Sequence, residues 1–287
     1  MEVQDRLVGQ RYRLVERVGP GGAGRVWRAF DEAAGREVAV ERPVLPGDPA
    51  DEAYRRAAHR LTREARAAAR VDHPAAVRIH DVVEETAGDG GPPWIVMEWV
   101  GGESLHEALR RGPVPAPEAA RVGHAVLGAL RAAHSVGIVH RGVSAGRVLL
   151  GPHGRVVLTG FGTAHVPGEE IPRGRARRER PPRSRVPGAG PSRGPAAGEE
   201  SLPGGGPAAD LRALGTLLRT AVAEQPAVGP LGPLVERLLA ADDGRRPNAG
   251  AVADEVAQEV AQGLAEVAGG LRPTPPRNQG VSCNPSA

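Results

Sequence analysis

Read as a pattern of apolar and polar positions, the chain changes period near residue 100. Tyr12 to Val18, Arg25 to Phe30 and Glu37 to Glu41 alternate or run apolar between glycine-rich breaks, which predicts three antiparallel strands. Asp51 to Arg70 switches to helical spacing, with Arg60 and Glu64 one turn apart on one face, and stops before Asp72-His73-Pro74. Val77 to Glu85 and Trp94 to Val100 predict two further strands, and Gly101-Gly102 breaks the pattern. From Leu105 onward helical spacing dominates, with helices predicted over Pro115 to Ser135, Ala208 to Val222, Leu231 to Ala240 and Ala249 to Ala265. The expected architecture is α+β and bilobal: a small antiparallel β lobe with one helix over residues 1–101, then a larger α-helical lobe over 102–265. The boundary falls within Glu98 to Gly102.

Composition adjusts this picture in a few places. Between Pro167 and Pro207, 18 of 41 residues are Pro or Gly and 8 are Arg, too little apolar surface to order the segment, so a mostly disordered loop is expected there. Residues 266–287 read as a flexible tail. The 287 residues, 40% hydrophobic, are enough for one large core or two packed lobes. A single cysteine, Cys283, excludes an intrachain disulfide and a multi-cysteine zinc site and fits a reducing compartment. The first residues carry no apolar stretch and no run approaches the ~20 apolar residues of a membrane span, so a cytoplasmic protein with no membrane attachment is expected. A net charge of +3 with 2% aromatic residues offers little to stack bases, and nucleic-acid binding is not expected. The chain contains no lysine, so all 37 basic residues are arginine, whose proton does not leave at working pH.

The motifs carry more. Gly19, Gly21, Gly24 and Val26 spell G-x-G-x-x-G-x-V between two predicted strands; Val38-Ala39-Val40-Glu41, the helical Glu64, Met97-Glu98, His140-Arg141-Gly142 and Gly160-Phe161-Gly162 follow in that order. A lone glycine pattern is weak evidence in a chain with 40 glycines, but the ordered set is specific. From about Tyr12 to Ala265 the chain resembles the bacterial serine/threonine protein kinases of the eukaryotic, or Hanks, type. That resemblance implies a bilobal kinase fold with a nucleotide cleft between the lobes. It also implies an adenine pocket of Val26, Ala39, Met97, Glu98, Val100 and Leu149, and a phosphate-covering loop carrying Gly19, Gly21 and Gly24.

The reactive positions depart from the family pattern. Where the family carries the phosphate-gripping lysine stands Glu41, which would face the helix glutamate, Glu64. At about 4 Å such a like-charge contact costs on the order of 1 to 4 kcal/mol. If the strand were slipped, Glu41 would instead point to solvent. The family's catalytic-loop Asp, Lys and Asn correspond to Gly142, Ser144 and Arg147, and its metal-binding Asp corresponds to Gly160. No Asp or Glu occurs from Ala119 through Gly168, so that stretch offers no hard oxygen ligand for magnesium. Arg147 is expected to reach Glu41 or Glu64 and neutralise it. The family's structural residues are present by contrast. His140 and Phe161 would stack between the lobes, Asp210 would hold the catalytic-loop backbone, and Glu200 with Arg246 would form an ion pair in the α lobe. Arg141 carries a family role in binding a phosphorylated activation segment, and Ser184 and Ser192 are the hydroxyl residues between Arg173 and Glu200.

These readings predict a pseudokinase, a kinase-fold regulatory or scaffold module acting through protein partners, with no cofactor required; the cleft is expected to be collapsed and filled by its own side chains, with weak metal-independent ATP binding as the alternative. The partner would be phosphorylated or acidic, or an active kinase; the Arg-rich stretch 173–193 could contact it or serve only as a solvated linker. The alternatives are a diverged ATP-binding serine/threonine kinase using Glu41 or Glu64, and an Arg-loop nucleic-acid binder.

Overall fold

The computed structural model describes residues 6–18, 24–84, 91–161, 206–222, 231–240 and 260–267. Its first lobe is a six-stranded antiparallel sheet of β1 (Leu7–Val8), β2 (Tyr12–Val18), β3 (Gly24–Asp31), β4 (Arg36–Pro43), β5 (Ile79–Val83) and β6 (Trp94–Glu98), in the order β1-β2-β3-β4-β6-β5. Alternation decides what each face does. On one face Trp27, Val38, Val40, Trp94 and Val96 join Tyr12 and Leu14 in a compact apolar cluster. The opposite face carries Val26, Ala39, Ile95 and Met97, which belong to the main core running into the second lobe.

Helix α1 (Glu52–Ala68) covers part of the sheet. Its Tyr54, Ala58, Leu61, Ala65 and Ala68 are buried at three- and four-residue spacing, while its arginines point outward. The chain then crosses to the second lobe through Trp99–Gly102. Gly102 has φ +131°, and a Cβ there would lie 2.1 Å from the Leu150 carbonyl oxygen, so only glycine passes. A short strand β7 (Glu103–Ser104) leads into α2 (Leu105–Leu109), opened by a reciprocal cap. Glu107 N–H donates to Ser104 Oγ (3.2 Å), and Ser104 N–H donates to the Glu107 carboxylate (2.8 Å).

The second lobe is built on α3 (Ala116–Ser135), whose Ala119, Ala120, Val126, Leu127, Ala129, Leu130 and Ala133 are fully buried. Strands β8 (Val148–Leu150) and β9 (Val156–Leu158) complete a three-stranded sheet with β7. Helices α4 (Pro207–Ala221) and α5 (Leu231–Leu239) pack behind it. A Cβ on Gly123 or Gly215 would lie 2.9 Å from Leu218 or Leu238 respectively, so both helix contacts depend on the missing side chain. Pro207, expected to close the loop, instead opens α4, where its missing N–H costs nothing. Residues 260–267 are helical, two residues into the expected tail. The Arg-rich stretch, Ser184, Ser192, Glu200, Arg246, Cys283 and the loop glycines Gly19 and Gly21 lie outside the described residues. Among the described residues no helix is long and apolar enough to cross a membrane.

Candidate functional site

The site lies where the inner face of the sheet meets β8 and the loop before it. Ladder register pairs Val26 with Glu41 and Ala39 with Met97, so the four share one face. Ala39, Met97 and Val100 are buried there, and Val26 and Leu149 pack half-buried against the same core. Val26, Ala39 and Leu149 thus belong to one apolar cluster that runs between the lobes. Glu41, on that inner face, is 7% exposed, so the slipped-strand alternative with a solvent-facing carboxylate does not hold. Glu64, on α1, is half-buried.

The loop between α3 and β8 is fixed by one buried carboxylate. Asp210 of α4, 1% exposed, accepts hydrogen bonds from His140 N–H (2.8 Å), Arg141 N–H (2.6 Å) and His134 Nε2–H (2.8 Å). Arg141 adopts φ +58°, a conformation a non-glycine residue takes only when its surroundings impose it, and its N–H reaches Asp210 from there. The His140 ring is fully buried. Its Nε2–H donates to Thr159 O (2.9 Å), its Nδ1 accepts from Gly142 N–H (3.2 Å), and it meets Phe161 edge-on with centroids 4.8 Å apart. Burial, well ahead of the other influences, lowers its pKa to about 4, so the ring is neutral and holds this tautomer near pH 7.

Arg147 follows a single 3₁₀ turn, Ala145–Arg147. Its N–H donates to Ser144 O (3.0 Å), and its carbonyl accepts from Thr159 N–H (2.8 Å) and Thr159 Oγ1–H (3.1 Å), so the backbone is fixed on both sides. The side chain lies across Gly160. A Cβ on Gly160, which has φ +89°, would sit 3.0 Å from Arg147 Cδ, 3.1 Å from Nη1 and 3.2 Å from Nε. A side chain at position 160 would therefore press on the Arg147 side chain, which would have to give way. The expected bridge to a glutamate is not formed: among the described residues Arg147 pairs with neither Glu41 nor Glu64, because its side chain is turned onto Gly160. Its Nη1 is enclosed and has no hydrogen-bond partner among the described residues, a state costing about 1–3 kcal/mol for an ordinary buried donor and more for a charged one.

A divalent metal does not fit these residues. The positions that would ligate it are Arg147 and Gly160, and among the described residues no three His, Cys, Asp or Glu side chains gather to hold an ion. The apolar residues expected to form the adenine pocket gather in one core cluster, with Val100 buried and Trp99 packed beside it.

Two residues escaped sequence reasoning. His134 reaches Asp210 from α3, although the spacing to residue 210 gave no hint of it. Arg155 donates to Glu98 through Nη1 (2.9 Å) and Nη2 (3.0 Å), tying the hairpin β8–β9 to the last residue of β6 across the lobe boundary. The Glu98 carboxylate also accepts from Arg78 N–H (3.0 Å). These side chains flank a separate half-open cavity of about 510 Å³ lined also by Arg36, His73 and His80, where Arg78 pairs with Asp72.

A curled β sheet with one helix, a hinge, a helical lobe and an apolar interlobe cluster define a protein kinase domain. The chain belongs to the protein kinase domain family, whose model matches residues 12–173, more than half its length. It is 37% identical over 169 residues to a probable serine/threonine-protein kinase of Streptomyces coelicolor, covering 58% of this chain and 24% of that one. It is also 37% identical over 158 residues to the serine/threonine-protein kinase PknA of Mycobacterium tuberculosis, covering 54% and 35% respectively. The chain thus spans roughly a quarter to a third of the length of these relatives.

Proposed function

We propose that the chain is a pseudokinase, a kinase-fold regulatory or scaffold module that binds partners and does not transfer phosphate. The observation that carries this reading is Gly160, with the Arg147 side chain packed against it, at the position where the family pattern has its metal-binding carboxylate. Phosphoryl transfer relies on positioning and on positive charge held by metal between the phosphates. At these positions the chain offers a guanidinium and two glycines, and Glu41 adds a buried carboxylate on the inner face of the sheet. No lysine elsewhere could restore the lost contact.

Among the described residues the scaffold contacts are in place where the chemistry is not. Asp210, His140 and Phe161 form the contacts that hold a kinase domain in shape, which suits a protein that works by presenting a surface. Its partner is a protein, phosphorylated or acidic in chemistry, or an active kinase. The test is transfer of radiolabelled phosphate from ATP with magnesium or manganese to the protein itself and to serine/threonine peptides. No label above blank is expected, and Glu41→Gln and Glu64→Gln should change nothing. Label that exceeds the blank and disappears in either variant would overturn the reading in favour of a diverged kinase.

A further inference from the structure

We propose that the exposed face of α1 is a docking surface for a short segment of a partner protein rich in Asp or Glu. The inference rests on reading the chain as a partner-binding module and names where on it the partner sits.

Helical geometry collects the charge. At about 100° per residue, Arg55, Arg56, His59, Arg60, Arg63 and Arg66 fall within an arc of about 140°, and all six are exposed. The opposite side of the helix holds Tyr54, Ala58, Leu61, Ala65 and Ala68, buried against the lobe, so the arginine face stays turned outward. The result is a stripe of five guanidinium groups about 16 Å long.

That charge is only partly met within the chain. Arg56 pairs with Glu52 (2.7 Å) at one end and Arg66 with Glu84 (2.8 Å) at the other. Between them Arg60 and Arg63 have no hydrogen-bond or ion-pair partner among the described residues, and the half-buried Glu64 one turn from Arg60 does not pair with it. Arg56, Arg60 and Arg63 stand one turn apart, a spacing at which like charges repel. An anionic partner relieves that repulsion, and a guanidinium meets a carboxylate through two parallel hydrogen bonds.

The surroundings choose among anions. A nucleic-acid strand or a lipid surface extends past both ends of the stripe, where it meets the like charge of Glu52 and Glu84. The other exposed positions of α1 are Glu52 and Ala53, so the face offers no aromatic ring to stack on a base and no large apolar group to enter a bilayer. A peptide segment of about five extended residues spans the roughly 15 Å from Arg56 to Arg66 and stops short of both acidic ends.

The test is binding of labelled octaglutamate to the full chain by fluorescence anisotropy, beside a labelled DNA duplex and phosphatidylglycerol vesicles. The peptide is expected to bind at low salt and to weaken as salt rises. Arg60→Gln combined with Arg63→Gln should weaken it roughly tenfold. That variant should unfold at the parent's temperature, because both side chains are exposed and Gln is a good helix former. Gln in place of Arg219 on α4, or of Arg173, Arg175, Arg177 and Arg178, should change the affinity less than about twofold. Arg60→Glu combined with Arg63→Glu should lose octaglutamate and gain octaarginine. Equal octaglutamate affinity in the parent and the Gln double variant, an equal loss in either control, or a larger loss of DNA or vesicle binding than of peptide binding in the double variant would each overturn the proposal. Label transfer in the kinase assay would instead sink the pseudokinase reading, so the two failures are distinguishable.

Discussion

The loop before β8 has two ends, and they are built differently. At Asp210 every polar group is matched: two backbone N–H groups and one imidazole meet one carboxylate, and His140 uses both of its ring nitrogens. At Arg147, a few residues on, a guanidinium nitrogen is enclosed with no acceptor among the described residues, next to a glycine that leaves it room. The first end stabilises the fold and binds nothing further. The second carries the cost of an enclosed donor with no acceptor among the described residues.

The largest expected effect comes from attacking the matched end. Asp210→Ala leaves three donors facing a buried hole and should lower unfolding free energy by roughly 3–5 kcal/mol, read from urea denaturation. A loss under about 1 kcal/mol would show that the Asp210 hub is not what holds the loop.

A second prediction uses pH. An unfolded histidine takes up its proton near 6.5, whereas His140 does so only near 4 in the fold. Between those values the unfolded state binds more protons, so this residue's contribution is full above pH 6.5 and is lost as pH falls toward 4. At pH 5 the loss should be about 2 kcal/mol. His140→Gln, with no imidazole to protonate, should show correspondingly less change between pH 7 and pH 5. An identical pH profile for the two proteins would place the titration elsewhere.

The unmatched end gives a smaller effect with a distinctive sign pattern. Gly160→Asp places a side chain at positive φ and against Arg147, and should cost about 1–2 kcal/mol from the backbone alone. In an Arg147→Asn background the cost should fall, because the overlap with the guanidinium is gone. Additive costs in the double variant would mean that the two residues do not compete for one space. The smallest effect belongs to the lobe clamp. Arg155→Ala removes a partly exposed pair with Glu98 and should cost about 0.2–1 kcal/mol, detectable as faster proteolysis at the hinge.

Much of the fold was legible along the chain because its strands and helices follow simple periods. Ala39 and Glu41 fall on one face of β4 and Val38 and Val40 on the other, as alternation requires, and α1 buries every third or fourth residue. The short strands β1 and β7 were not legible, nor were the bounds of α2. Each is too brief to show a period and is fixed by a partner strand or by the Ser104–Glu107 cap. In the site, the identities of Glu41, Gly142, Arg147 and Gly160 came from motif order alone, but the direction of Arg147 did not. Sequence reasoning sent it to a glutamate by charge, and the structure turns it onto Gly160, which has no side chain to exclude it.

By itself, then, the sequence determined that this is a kinase-type domain without the family's lysine, aspartates and asparagine, since motif order and residue identity are properties of the chain. Only the tertiary structure decided what became of the space. It buried Glu41, brought His134 and Asp210 together from α3 and α4, clamped Glu98 to Arg155 across the hinge, and laid the Arg147 side chain against Gly160. Those outcomes depend on which side chains compete for the same volume, and that competition exists only once the lobes have packed.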